Sequence, residues 1–406
     1  MSRAQKLLVG FLFFTSGFAG LVYQNLWVRL LGLTVGSNSL ALSIVLAFFF
    51  LGLALGSYLA ARFASRITNP LRVYGWIELA VGAYAIVLAE VLFSLPRFAA
   101  LLASIPVVGP GLPYLLTAML ILPPPLAMGA TLPILLRIFA RDDARIGRDL
   151  CSLYAANTFG AAAGALACGF ILVPRFGVSG ANFIAATMNF IVGIASLGIL
   201  RRWGGAWSFP PSYDEPFRFS LRQGAPLGRF ERATVLVLGL VGFAGIALEV
   251  VWSKYLGIFF GTNIYGLSLT LAIVLLGIAL GALLVTPLID RLKKSELFFV
   301  GLIVATALLL FQSTFLLARV PEASDWLWFV LGNRLPLLWV KAFVVGLLLL
   351  PSIVLLGAIL PTGIRILSQK ARHTPETTGA SYAINTLGAS LGALWAGTRL
   401  IPHSGP

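Results

Sequence analysis

The chain has 406 residues, of which 59% are hydrophobic and 11% are charged. Charged residues make up about a quarter of an ordinary soluble domain, so this composition excludes a soluble globular protein and indicates an integral membrane protein. The net charge of +15 does not indicate nucleic-acid binding, because the basic residues lie between apolar segments, where they set membrane topology. We expect the lipid bilayer as a partner and no nucleic acid.

A membrane span needs about twenty apolar residues. On this criterion the sequence predicts an all-α polytopic membrane protein with eleven transmembrane helices. In chain order these predicted helices cover residues 7–32, 38–61, 73–95, 113–139, 151–173, 179–200, 233–256, 263–288, 296–318, 335–367 and 379–401.

The basic residues predict the orientation of the chain. Most of the 29 lysines and arginines lie at the N-terminus or in the loops that follow even-numbered helices. These positions share one side of the membrane if every segment spans it, and the positively charged side is cytoplasmic. We therefore expect a cytoplasmic (inner) membrane, with the N-terminus in the cytoplasm and residues 201–232 as a cytoplasmic linker.

The sequence offers no metal or catalytic motif. Cys151 and Cys168 lie about 25 Å apart along one helix, which is too far for a disulfide. His373 and His403 have no metal-ligand spacing. We expect no metal, no cofactor and no catalytic residue in this chain.

An internal repeat is the most informative feature. Residues 17–66 match residues 242–291 at an offset of 225, with 20 identities in 50 positions. Residues 129–177 match residues 357–405 at an offset of 228, with 19 identities in 49. Both copies begin on the same side, which predicts two parallel six-helix repeats in a major-facilitator-like arrangement. We assign residues 1–200 to the first repeat and 233–406 to the second, in which we expect five helices and a missing twelfth.

Small residues recur at helical spacing in both copies. Such spacing lets two helix backbones approach closely, and predicted helices 2, 5, 8 and 11 would flank the interface between the repeats. We therefore assign helix packing to eight glycines: Gly52, Gly56, Gly160, Gly164, Gly277, Gly281, Gly388 and Gly392.

Three pairs of residues are candidates for a substrate cavity. Pro133 and Pro361 predict breaks in helices 4 and 10, and paired broken helices point to a binding cavity; a plain kink is the alternative. Gln24 is replaced by Glu249 in the second copy, which puts a carboxylate inside a membrane helix. Asn157 and Asn385 either face a substrate or bond a neighbouring helix. For Arg29, Glu78, Glu90, Lys254 and Lys341 we favour structural roles.

The sequence resembles a known family. The stretch GFAGLVYQNLWVRLLGLTVGSN, the stretch PLRVYGWIELAVGAYA and the blocks GATLPILLR and YAANTFGAAAGALACGFILVPRFG are similar to the membrane half of fused major-facilitator/spermidine-synthase-like proteins. The resemblance implies a membrane module that anchors or feeds a cytoplasmic aminopropyltransferase-like domain, which is absent here. Ser65 also departs from the family, which often has an aspartate there. The alternative is a free-standing transporter of a small metabolite, a polyamine or another.

Overall fold

The structure is a computed structural model. It describes residues 3–35, 38–63, 66–103, 112–139, 146–203, 228–261, 264–289, 291, 294–370 and 374–404. Most of the predicted linker 201–232 lies outside these ranges. Within them, the regular structure is helical and contains no strand.

The N-terminal helices are α1 (Arg3–Val35), α2 (Asn38–Phe63), α3 (Pro70–Ala103), α4 (Leu112–Ile121), α5 (Pro123–Phe139), α6 (Ile146–Ala167) and α7 (Val173–Trp203). The C-terminal helices are α8 (Arg229–Phe260), α9 (Ile264–Ile289), α10 (Ser295–Leu317), α11 (Val320–Val330), α12 (Leu337–Lys370), α13 (Thr374–Trp395) and α14 (Ile401–Ser404). Two π-helical segments, Cys168–Leu172 and Ala396–Leu400, follow α6 and α13.

Each predicted helix overlaps a helix of the structure, with two main differences. Predicted helix 4 is divided at Leu122 into α4 and α5, because Pro123 opens a run of three prolines that cannot continue a helical hydrogen-bond ladder. Helix α11 has no counterpart among the predicted helices; its 11 residues are too few to cross a bilayer.

In the described part of the chain, nine helical stretches are long and apolar enough to cross a membrane. The stretch Arg148–Ile199 combines predicted helices 5 and 6, which meet where Gly177 takes a positive φ of 69°. Predicted helix 11, which corresponds to α13, is not among the nine. The protein is an all-α polytopic membrane protein.

Four helices join the N-terminal helices (α1–α7) to the C-terminal helices (α8–α14). Helix α2 packs against α13, and α6 packs against α9. The hydroxyl of Ser390 on α13 donates a hydrogen bond to the carbonyl of Ala47 on α2 at 2.7 Å. Within each group, α1 packs against α6 and α8 packs against α13.

The glycines of α6 and α13 lie directly against neighbouring backbones. A Cβ atom at Gly160 would collide with the carbonyl oxygen of Phe14 on α1, and one at Gly164 with that of Phe18. The same collisions recur in the C-terminal helices, where Gly388 faces Gly239 and Gly392 faces Phe243 on α8. The residues that the sequence repeat pairs therefore make equivalent contacts.

The glycines of α2 and α9 behave in the same way. Gly56 lies against the carbonyl of Leu126 on α5, and Gly281 against that of Val354 on α12. Their partners Gly52 and Gly277 lie against the same two helices. All eight glycines thus pack against a helix of their own group, and the four helices that carry them, α2, α6, α9 and α13, also form the interface between the groups.

Other small residues make the contacts between the groups. Gly169 faces Ser268 on α9, and Gly397 faces Ser43 on α2. Gly379 of α13 lies against the carbonyl of Ser57 and the ring of Pro133. Each pair of glycines four residues apart packs within one group of helices, because the two glycines lie one turn apart and face the same neighbouring helix.

The predicted breaks at Pro133 and Pro361 are absent, because α5 continues through the first and α12 through the second. Proline removes only its own amide donor, which leaves the carbonyl four residues earlier without its helical partner. For Pro133 this carbonyl belongs to Gly129, and the hydroxyl of Ser57 donates to it at 2.6 Å. A side chain from α2 therefore replaces the lost helical hydrogen bond.

We predict that Gly160→Ala lowers stability by about 1–3 kcal/mol, the usual effect of forcing an atom into a well-packed interior. The measurement is the unfolding temperature of the purified protein in detergent micelles. Gly301→Ala on α10 is the matched control, because a Cβ there meets nothing within 4 Å. An equal effect of both substitutions would show that the contact with Phe14 is unimportant.

We predict that Ser57→Ala lowers the stability of the protein more when residue 133 is proline than when it is alanine. In the natural sequence the substitution leaves the carbonyl of Gly129 unsatisfied, at about 1 kcal/mol or more. In Pro133→Ala, the new amide at residue 133 satisfies that carbonyl, so Ser57→Ala should cost less. A double-mutant cycle on unfolding temperature measures the difference; purely additive effects would contradict it.

Candidate functional site

A cavity of about 200 Å³ lies between the N-terminal and C-terminal helices. It is lined by α1, α2, α5 and α6 from the first group and by α8, α9, α12 and α13 from the second. Sites for drug-sized ligands are about 300–1,000 Å³, so this cavity fits a smaller solute.

The lining of the cavity follows the sequence repeat. Most lining positions have a counterpart in the other group at an offset of 225 or 228. The pairs are Ser16/Val241, Gly17/Gly242, Gly20/Gly245, Leu21/Ile246, Gln24/Glu249, Phe49/Val274, Phe50/Leu275, Leu53/Ile278, Met128/Leu356, Gly129/Gly357, Leu132/Leu360, Tyr154/Tyr382, Asn157/Asn385, Thr158/Thr386 and Ala161/Ala389.

Gln24 on α1 and Glu249 on α8 both line the cavity. Glu249 is only 5% exposed, and within the described residues no hydrogen bond or ion pair joins it to another group. It is the one charged side chain among the described residues that line the cavity. A buried carboxylate without a partner is costly in a membrane, so Glu249 offers an unpartnered carboxyl group to whatever enters the cavity.

Asn157 and Asn385 line the cavity and also bond a neighbouring helix. The amide of Asn157 donates to the carbonyl of Phe13 on α1 at 3.0 Å. The amide of Asn385 donates to the carbonyl of Leu238 on α8 at 2.9 Å. Both amides are therefore held in place by the cavity wall, which leaves their oxygens as candidate acceptors.

Pro133 and Pro361 are not among the described lining residues. Gly129 and Gly357, one helical turn earlier, are. The prolines therefore lie outside the cavity wall, although Leu132 and Leu360, the residues directly before them, are part of it.

Aromatic rings form much of the remaining wall. Phe49 and Phe50 come from α2, Tyr154 from α6, Trp252 from α8 and Tyr382 from α13. Aromatic faces attract cations through their quadrupoles, so these rings complement the carboxylate of Glu249.

The other ionisable residues of the apolar segments lie elsewhere. The ammonium of Lys341 donates to the carbonyl of Phe259 at 3.1 Å and lies 4.4 Å from the centre of its ring. Arg29 and Glu90 are exposed, and Lys254 is partly buried. None of these four lines the cavity.

The sequence does not predict a polar network around Glu78. This residue of α3 is 1% exposed. Its carboxyl group is 2.6 Å from the hydroxyl of Ser16 on α1 and accepts a hydrogen bond from the amide of Asn189 on α7 at 2.5 Å. The hydroxyl of Tyr23 donates to the carbonyl oxygen of that amide at 2.8 Å. The only sequence signal was the acid itself, within an apolar segment.

In the described residues, no group of three or more His, Cys, Asp or Glu side chains is placed to hold a metal ion. Cys151 and Cys168 are both free and buried.

Solved structures identify the fold. The chain is similar to the nucleoside transporter NupG, with a TM-score of 0.57 and 15% identity over 98% of this chain and 93% of that one. It is similar to a bacterial homologue of the iron transporter ferroportin (TM-score 0.56, 15% identity, 99% and 93%). It is also similar to the E. coli fucose:proton symporter FucP (TM-score 0.55, 14% identity, 97% and 96%).

Neither a protein-family model nor a curated protein sequence matches the chain. At these identities the likeness to solved structures concerns the fold alone. The predicted all-α, major-facilitator-like membrane fold is confirmed.

Proposed function

We propose that the protein is a secondary transporter, which moves a small solute by exposing the central cavity alternately to the two sides of the membrane. The observation that carries this proposal is the cavity itself, which both groups of helices line with paired residues. The fold supports it, because the similar structures named above are described as a nucleoside transporter, a homologue of an iron transporter and a fucose:proton symporter. Their solutes differ, so the fold does not name a substrate for this chain.

The chemistry of the cavity favours a small organic cation. Glu249 supplies one negative charge, and no described cationic side chain lines the same space. A single carboxylate neutralises a single ammonium group, whose alkyl part would contact the aromatic wall. A polyamine has further ammonium groups that would find no second carboxylate there, so we propose a monoamine in preference to a polyamine.

We further propose the topology that the basic residues predict. The N-terminus and the segment 201–232 would lie in the cytoplasm, and the membrane would be the inner one. The equivalent contacts of the paired glycines support the proposal of two parallel repeats, 1–200 and 233–406.

For the transport proposal, we predict that a monoamine binds and is taken up in a manner that depends on Glu249. The purified protein in proteoliposomes is tested with radiolabelled ethanolamine, methylammonium, putrescine and, as an anion, acetate. Glu249→Gln should weaken binding of the preferred amine about 30-fold, the effect of losing ~2 kcal/mol from a desolvated charge pair.

Glu90→Gln is the matched control, since Glu90 is an exposed carboxylate on α3; binding and uptake should be unchanged. Gln24→Glu adds a second carboxylate to the cavity and should shift the preference from the monoamines to putrescine. Uptake that is equal in the natural protein, Glu249→Gln and empty liposomes would refute the proposal.

The second candidate function is the membrane module of a spermidine-synthase-like fusion, which anchors or feeds a cytoplasmic aminopropyltransferase-like domain. It is supported by the sequence resemblance, including the stretches 17–38 and 70–85. In the proposed topology, a twelfth helix would end in the cytoplasm. A domain that follows it would therefore lie on the cytoplasmic side of the membrane.

The second candidate predicts a synthase-like coding sequence next to this one. Sequencing the genomic DNA downstream of the codon for Pro406 should reveal a continuing frame, or an adjacent gene, for a glycine-rich nucleotide-binding fold. Unrelated sequence there would remove the support for this candidate and would leave the transport proposal untouched.

A further inference from the structure

We propose that Glu78 is a proton-binding site and that the hydroxyl of Ser16 connects it to the central cavity. The proposal uses the cavity of the proposed transporter, but it concerns a group outside the cavity wall. Ser16 lines the cavity and is 2.6 Å from one carboxyl oxygen of Glu78, Oε1. The buried acid is thus one hydroxyl away from the space that a solute would enter.

The hydrogen bonds distinguish the two oxygens of the carboxyl group. Oε2 accepts from the amide of Asn189, and the orientation of this amide is set because its own oxygen accepts from Tyr23. An oxygen that accepts from an amide is not the one that carries the proton. Oε1 is 2.6 Å from the hydroxyl of Ser16, and the hydroxyl of Tyr74 also lies within hydrogen-bonding reach of the carboxyl group and of Ser16. A hydroxyl both donates and accepts.

This arrangement can hydrogen-bond both the ionised and the protonated carboxyl group of Glu78 without moving any heavy atom. When Glu78 is ionised, Ser16 donates its hydrogen to Oε1. When Glu78 is protonated, Oε1 donates to Ser16, whose hydroxyl hydrogen then turns towards the cavity. In the transfer, the hydroxyl hydrogen of Ser16 passes to Oε1 while its oxygen takes a proton from solvent in the cavity. The net reaction is the binding of one proton by one carboxylate.

Within the part of the chain that the structure describes, no cation neutralises Glu78 instead. The titratable groups that face it are Tyr23 from α1 and Tyr74 from its own helix; Tyr74 donates to the carbonyl of Leu12 at 3.3 Å. Among the described residues, no lysine or arginine pairs with the carboxyl group. The described basic side chains on α1, α3, α5 and α7, which carry or surround Glu78, are Lys6, Arg29, Arg72, Arg97, Arg137, Arg175 and Arg201.

The network is not part of the packing that both sequence copies share. At the offset of 225, Ser16 corresponds to Val241 and Tyr23 to Leu248, which are both apolar. Helix α10 has a single acidic residue, Glu296, and it lies in the first turn. The second copy thus folds without an equivalent acid, which favours a role for Glu78 other than helix packing.

Infrared spectroscopy of the purified full chain in lipid tests the proposal directly, without any transported solute. A protonated glutamate gives a carboxylic-acid C=O stretch, which should disappear as the pH rises and return as it falls. Glu78→Gln should remove this band, and it is expected to fold because an amide replaces the acid as donor to Ser16. Glu90→Gln, which replaces an exposed carboxylate on the same helix, is the matched control and should retain the band.

A second measurement uses a variant that keeps the acid. The C=O band of an acid shifts when its hydrogen is exchanged for deuterium, so the rate of the shift in D₂O reports proton access. Ser16→Ala should slow this exchange about tenfold, the effect of losing one hydrogen bond of ~1.4 kcal/mol. Ser57→Ala also removes a buried hydroxyl, but one that bonds the carbonyl of Gly129 and not Glu78, and should leave the rate unchanged.

The absence of a Glu78-dependent acid band at every pH at which the protein stays folded would overturn the proposal. Equal exchange rates in the natural protein and Ser16→Ala would overturn the route through Ser16. Neither outcome depends on uptake, so failure of the proton site is distinguishable from failure of the transport proposal.

Discussion

Backbone contact at glycine is the constraint on which the rest of the structure depends. In a bilayer, apolar side chains gain little by leaving lipid, so helices associate through close packing and polar contacts. Gly17 lies against the backbone of Asn157, and Gly242 lies in the same way against Asn385. These contacts join α1 to α6 and α8 to α13. Four helices of the cavity wall are therefore positioned by main-chain atoms, and the side chains that face the cavity are free to differ.

The functional asymmetry lies where the paired residues differ in chemistry. The wall keeps Asn157 and Asn385 as equivalent amides, each bonded to a carbonyl of its neighbouring helix. Glu249, in contrast, replaces an amide with a charge, and Ser16 supplies a hydroxyl where the other copy has an aliphatic side chain. These two exceptions place one carboxyl group in the cavity and one hydroxyl beside the buried acid Glu78.

The sequence predicts the helices because long apolar segments and repeated motifs are local properties. It also points to four residues that line the cavity, because a polar side chain in a membrane helix needs polar surroundings such as a cavity. These residues are Gln24, Glu249, Asn157 and Asn385. The network of Glu78 could not be predicted, because its partners lie 62 and 111 positions away along the chain. Likewise, spacing shows that Gly160 faces some helix, but only the fold identifies which one.

The two π-helical segments are a shared irregularity of the two groups of helices. A π-helical turn is rare and occurs mostly as a single turn inside an α-helix, frequently at a functional site. Cys168–Leu172 and Ala396–Leu400 occupy matching positions in the two copies, 228 residues apart. Gly169 and Gly397, which face serines of the other group of helices, lie within these two segments. The irregular turns are thus shared by both copies and lie where the two groups of helices meet.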